Sequence, residues 1–178
     1  MAVSQRIFAA LLASNMAVGA ACAQEATYVF EWIGDGGYKM QGAMSFDADL
    51  ATAPFVDQDD ISCFVIEGFV ADRKVGRWAL SDLAPETTWI LTFLPDRSEF
   101  AVSHPSYAMP QGWNMNGRGD DCGPGGFGFN LGNLGQDLCL DNELHEASRV
   151  GSYRPFKALR DDDAVLPADA CAGIIPTS

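Results

Sequence analysis

Apolar and polar residues alternate along most of this chain with the period of two that marks a half-buried β-strand. Over residues 28–33, Tyr28, Phe30 and Trp32 share one face. After Gly34-Asp35-Gly36-Gly37, the residues Tyr38, Met40, Gly42, Met44 and Phe46 share another, with Lys39, Gln41, Ala43 and Ser45 opposite. Two alternating runs across a Gly-rich turn predict an N-terminal β-hairpin. Residues 61–70 are almost continuously apolar, as expected of a strand buried on both faces. Further strands are predicted over 76–81, with Trp78 and Leu80, and over 87–94, with Trp89, Leu91 and Phe93 on one face. The turn Pro95-Asp96-Arg97-Ser98 leads into 99–103. Residues 126–131 alternate Phe127, Phe129 and Leu131 with small or polar positions, and 136–140 turn Leu138 and Leu140 inward. A last strand is expected over 150–156, where Pro155 marks an edge or an end. Only 142–148 offers a short helix. Strands of this length and spacing predict an all-β fold, an antiparallel two-sheet sandwich of jelly-roll type, with an up-and-down barrel as the alternative.

The first 23 residues follow a different pattern. Arg6 is their only charge, an apolar run Ile7-Phe8-Ala9-Ala10-Leu11-Leu12-Ala13 follows, and they close on Ala21-Cys22-Ala23. This is the layout of a secretory signal peptide, with a core too short to span a bilayer and an A-x-A cleavage site. The mature chain is expected to begin at Gln24 or Glu25, in the periplasm or outside the cell. The alternative is a lipoprotein with Cys22 as its lipid-modified first residue. Ala20 and Ala21 suit that, but Gly19 stands where a bulky aliphatic residue would be expected. The expected organisation is a signal peptide over 1–23, a β-sandwich over 24–159 and a polar C-terminal tail over 160–178.

Charge then narrows the partners. The formal net charge is −13, and removal of Arg6 with the signal makes it −14. No basic stripe is available to neutralise phosphates, which excludes nucleic acid as a partner and disfavours anionic lipid. No other apolar run reaches the length of a membrane span.

Five cysteines are present, and cleavage before Gln24 removes Cys22. The remaining Cys63, Cys122, Cys139 and Cys171 form an even set, which in an oxidising compartment favours disulfides. Cys122 and Cys139 flank the strand at 126–131, so one bridge would close a Gly-rich loop. Cys63 would then pair with Cys171 and anchor the tail. Four cysteines permit three connectivities.

Residues 111–135 stand apart, holding nine of the eighteen glycines together with Trp113, Asn114, Asn116, Phe127, Phe129, Asn130 and Asn133. Gly and Asn accept positive φ and tight turns, so the backbone here follows an unusual path. Two readings are open: a surface loop stapled by a disulfide with its aromatics turned into the core, or a ligand platform. On the second reading the binding residues are Trp113, Asn114, Asn116, Phe127 and Asn130.

Most motif matches lack the context their chemistry needs. Gly123-Pro124-Gly125-Gly126-Phe127-Gly128 spells G-x-G-x-x-G without the flanking parallel strand and helix of a dinucleotide loop. His145-Glu146 starts H-E-x-x-H, but Arg149 replaces the second histidine, and His104 is the only other one. Arg118-Gly119-Asp120 is a tripeptide that recurs by chance. No G-x-S-x-G elbow is present. No cofactor motif appears. The one metal chemistry suggested is Ca²⁺, with Asp137 and Asp141 on one strand face and Asp121 (or Asp120) drawn near by a Cys122–Cys139 bridge. Glu31, Glu67 and Glu99 lie in predicted strands, and Glu67 sits in the most apolar one.

Tyr28-Val29-Phe30-Glu31-Trp32, the Gly-rich turn and Gly42-Ala43-Met44-Ser45-Phe46-Asp47 resemble the opening of exported bacterial β-sandwich proteins. Trp78-Ala79-Leu80-Ser81-Asp82 and Trp89-Ile90-Leu91-Thr92-Phe93 continue the likeness. Several such proteins carry a PEP-CTERM sorting tail; here neither a membrane segment nor a basic end follows Ile174-Ile175-Pro176. The resemblance covers 26–103 and implies a sandwich and export, with no catalytic residues. The sequence therefore predicts a secreted or periplasmic β-sandwich with a binding or structural role and a glycan or protein partner at the cell surface. The alternative is a carboxylate-dependent hydrolase acting on glycans, since such chemistry needs only two suitably spaced carboxyl groups.

Overall fold

The computed structural model describes residues 24–102, 111–116, 121–132 and 135–171. His104, Arg118, Asp120, Asn133 and residues 1–23, where a signal peptide is expected, lie outside them. The fold is all-β: two antiparallel sheets packed face to face. The hairpin expected at the N-terminus is β1 (Glu25–Ile33) and β2 (Tyr38–Asp47), paired in one register from Glu25–Asp47 to Ile33–Lys39. That register turns Tyr28, Phe30, Trp32, Met40, Met44 and Phe46 into the core, as the alternation requires.

The larger sheet adds β3 (Val56–Asp57), β4 (Ile61–Val70), β5 (Arg73–Ala79), β7 (Thr92–Leu94), β8 (Glu99–Phe100) and β13 (Phe156–Arg160). Its order is β3-β7-β8-β13-β1-β2-β4-β5, and it curls into a half-barrel. The smaller sheet holds β6 (Thr88–Ile90), β9 (Gln111–Met115), β10 (Phe127–Gly132), β11 (Gly135–Leu140) and β12 (Glu143–Leu144), in the order β12-β11-β10-β9-β6.

Several boundaries differ from those read from the pattern. Residues 87–94 form two strands, because the chain leaves the smaller sheet at Leu91 and enters the larger one at Thr92. Alternation continues across that step, so the pattern cannot register it. Residues 111–115, expected in a loop, pair with β6 and β10. The helix expected over 142–148 is instead β12 followed by a single 3-10 turn, Glu146–Ser148. The last strand begins at Phe156, where 150–156 was expected, and Val150 makes only an isolated bridge to Gln136.

Aromatic rings fill the space between the sheets. Trp113, on the smaller sheet, is fully buried, with ring centres 4.9 Å from Phe64, 5.0 Å from Phe100 and 5.1 Å from Phe129. Two buried glutamines join the layers by hydrogen bonds. Gln111 Oε1 accepts from Thr92 N at 2.8 Å, and its Nε2 donates to Ala101 O. Gln136 Oε1 accepts from Trp32 Nε1 at 2.9 Å, and its Nε2 donates to Arg154 O at 2.6 Å. Gln111 thereby satisfies two backbone groups beside the point where the chain crosses between sheets, and Gln136 satisfies a buried indole N–H and a loop carbonyl.

The tail is part of the folded body through Cys171. A disulfide joins Cys171 to Cys63 on β4, and the two residues also form a backbone bridge. Ala170 and Leu166 pack on Val65, Ala79 and Ala43, so the outer face of β4 is covered there, as its apolar run suggested. Arg77 Nη2 donates to Asp169 at 2.8 Å, and Thr27 N donates to Asp162 at 3.1 Å.

Candidate functional site

The expected ligand platform divides into residues that pack and residues that face a cleft. Trp113 and Phe127 belong to the first group, and neither presents a ring to solvent. Phe127 is clamped between β4 and β5: a Cβ on Gly68 would lie 2.3 Å from its ring, and one on Gly76 2.4 Å. The glycines make room for the ring, which is why this aromatic points inward. Among the described residues the indole N–H of Trp113 has no hydrogen-bond partner, and its contacts with Phe64, Phe100 and Phe129 hold the ring. Asn130 is also buried, and its Nδ2 donates to Asp137 Oδ1 at 3.1 Å.

The three carboxylates suggested for Ca²⁺ are held apart by separate partners. Asp137 is 1 % exposed, and Arg149 Nε donates to its Oδ2 at 2.7 Å. That hydrogen bond holds the Arg149 guanidinium above its ordinary pKa, against the opposing effect of burial. Asp141 sits in the β11–β12 turn, where its Oδ1 accepts from Gly125 N at 2.7 Å. Asp121 Oδ2 accepts from Asn116 Nδ2 at 2.6 Å. Among the described residues, no three His, Cys, Asp or Glu side chains come together as a metal site. Asp137 lies on the outer strand face with Cys139, as periodicity required, but Arg149 covers it and makes it an internal ion pair.

The strand carboxylates are likewise engaged elsewhere. Glu31 accepts from Gln41 Nε2 at 2.9 Å. Glu67 pairs with Lys74 at 2.6 Å and Arg77 at 3.5 Å on the outer face. Glu99 is buried between Arg97 and Lys157, with Lys157 Nζ 2.8 Å away.

Asn114, Asn116 and Asp121, by contrast, come together in one cleft of about 370 Å³. Three segments build it. The first is the connection between β5 and β6. A 3-10 turn, Leu80–Asp82, is capped when Asp82 Oδ2 accepts from Ala79 N at 3.1 Å. A second turn follows, closed by Thr87 N donating to Ala84 O at 2.9 Å and Ala84 N donating to Thr87 Oγ1 at 3.3 Å. These turns set Asp82, Ala84, Glu86 and Thr87 on one wall.

The end of β9 forms the second segment. Asn114 adopts φ +53°, a left-handed conformation that asparagine accepts more readily than most residues. Its Nδ2 donates to Phe127 O at 2.7 Å, fixing the twist that carries Met115 and Asn116 into the cleft. The third segment is Asp121, Cys122 and Gly123. The disulfide Cys122–Cys139 ties it to β11, while Asn116 N donates to Asp121 O at 2.7 Å. On its far side Gly123 N and Gly125 N donate to Asn142 and Asp141. A short Gly-rich segment is thereby fixed at both ends.

Among the described residues the lining holds three carboxylates, Asp82, Glu86 and Asp121, two amides and no lysine or arginine. Such a surface repels anions and offers acceptors to cations, amines and hydroxyl groups. Asp82, Glu86 and Thr87 escaped the sequence reading because they lie in turns, carry no motif and reach the cleft only through the β6–β9 pairing.

No family model, no curated protein and no solved structure matches the chain. The structure thus defines the class by itself: an all-β sandwich with two disulfides, a combination that points to an oxidising extracellular or periplasmic setting. Among the described residues no helix is long and apolar enough to cross a membrane.

Proposed function

We propose that this chain is an exported binding protein, carried out of the cytoplasm by residues 1–23, that takes its ligand in the cleft between residues 82–87, the end of β9 and residues 121–123. The carrying observation is the lining, where three carboxylates and two amides converge with no lysine or arginine among the described residues. Rigid elements hold this surface from both sides, which is how sandwiches present binding loops. The test is an array of glycans, polyamines and basic peptides probed with mature protein, alongside Asp121→Asn and Glu86→Gln. Binding that both substitutions weaken supports the cleft; binding that neither alters refutes it.

A second reading, hydrolysis of glycans by a carboxylate pair, draws on the same three side chains. Release of reducing sugar that Asp121→Asn or Glu86→Gln abolishes would favour it over binding alone. Export has its own measurement. N-terminal sequencing should give Gln24 or Glu25, whereas a lipid-modified Cys22 makes the protein a lipoprotein and an intact Met1 refutes export.

A further inference from the structure

The cleft adjoins an open sheet edge. Strand β6 is the last strand of the smaller sheet, paired on one side with β9 through Thr88–Met115, Trp89–Trp113 and Ile90–Gly112. Among the described residues no strand pairs with its other side. The open stretch is bounded at Leu91, whose N–H donates to Gln58 Oε1 at 3.3 Å. It runs back through Ile90, Trp89 and Thr88 to Thr87 and Glu86, which line the cleft.

Natural edges are commonly blunted by charge, and β5, the terminal strand of the larger sheet, follows that rule with Arg73, Lys74 and Arg77. Strand β6 carries no charge and no proline, and all three of its residues are half-buried. An uncharged edge is a template for an added strand, whose main-chain hydrogen bonds give affinity while pockets at its end give specificity.

We propose that the β6 edge and the adjoining cleft form one docking surface for an extended basic peptide segment. The segment pairs beside Thr88–Ile90 and sets a lysine or arginine side chain among Asp82, Glu86 and Asp121. Charge complementarity selects this occupant. The cleft holds three acids and, among the described residues, no cation, and a protein of net charge −13 attracts a basic segment and disfavours a second copy of itself at the same edge. The proposal rests on the reading of the cleft as the binding site and adds the edge and the partner's chemistry.

The test uses mature protein and three fluorescein-labelled octapeptides: alternating Lys-Thr, alternating Glu-Thr, and the Lys-Thr peptide N-methylated at alternate residues. The Lys-Thr peptide should bind, the Glu-Thr peptide should not, and N-methylation should weaken binding at least about tenfold by removing strand hydrogen bonds. The Glu86→Gln/Asp121→Asn variant, checked for an unchanged circular dichroism spectrum, should weaken the Lys-Thr peptide at least about tenfold. Equal binding of the N-methylated peptide would overturn strand addition while leaving the cleft as a cation-recognising site. Binding untouched by the double variant would overturn the cleft as well. A concentration-dependent dimer that the Lys-Thr peptide cannot dissociate would assign the edge to a second copy and overturn the proposal.

Discussion

The two disulfides close loops of very different size, and that difference predicts unequal contributions to stability. Cys122 and Cys139 are 17 positions apart, and Cys63 and Cys171 are 108 apart. In the chain-entropy model a bridge stabilises by restricting the unfolded chain, with a logarithmic dependence on loop length. The shorter loop then contributes about 3 kcal/mol and the longer about 5 kcal/mol. For a chain of this size each kcal/mol moves the melting temperature by about 2–4 °C. The variant Cys122→Ser/Cys139→Ser should thus melt about 6–12 °C lower, and Cys63→Ser/Cys171→Ser about 10–20 °C lower. Native-state contacts push the same way, because loss of the Cys63–Cys171 bridge frees the segment whose Ala170 and Leu166 cover Val65 and Ala79. Differential scanning calorimetry on both double-serine variants reads the effect, after non-reducing peptide mapping confirms the pairing in the parent. Equal losses, or a larger loss from the shorter loop, would refute the entropic argument. The cost would then lie in the Gly-rich segment that the Cys122–Cys139 bridge positions.

Gly68→Ala should cost about 1–3 kcal/mol in denaturant unfolding, because the new methyl meets the far edge of the Phe127 ring at 2.3 Å; the Gly68→Ala/Phe127→Leu double variant should recover part of it, and no recovery would place the cost elsewhere. Arg149→Met should destabilise by about 3–5 kcal/mol, since it strands the Asp137 carboxylate at 1 % exposure, and Arg149→Met/Asp137→Leu should be closer to the parent; a neutral single variant contradicts the ion-pair account. Gln111→Leu leaves Thr92 N and Ala101 O without their amide partner and should cost about 2–4 kcal/mol, with faster hydrogen exchange at Thr92 as the local sign. The Asp72 carboxyl is held below its usual pKa by the hydrogen bond from Lys39, so its contribution is present above the ordinary aspartate value and is lost as pH falls through the lowered one. NMR titration of Lys39→Met should show the Asp72 pKa moving up; an unchanged value would rule out that pairing in solution.

Local properties of the chain were legible from the sequence alone. The alternation in 28–46 specified a hairpin and its inward face, because a strand's side chains alternate whatever the strand packs against. The even cysteine set specified disulfide chemistry, and the spacing of Cys122 and Cys139 favoured the bridge that closes the intervening Gly-rich segment. Asn114 and Asn116 stood out because amides among glycines mark a backbone that follows an unusual path, whereas Asp121 stood out only as a Ca²⁺ candidate brought near by the Cys122–Cys139 bridge.

What the tertiary structure decided depends on residues distant in sequence. For Phe127 the sequence left a core position and a ligand platform both open; Gly68 and Gly76, some fifty to sixty positions earlier, decide for the core by opening a slot for its ring. Asp137 alternated onto an outer face, and only Arg149, arriving from beyond β12, made that position internal. The step from one sheet to the other at Leu91 left the alternation unbroken, so only the partners of β6 and β7 reveal it. The cleft itself joins 82–87 to 114–123 through the pairing of β6 with β9. A period of two tells which face a residue occupies; which surface lies opposite is settled only when the sheets pack.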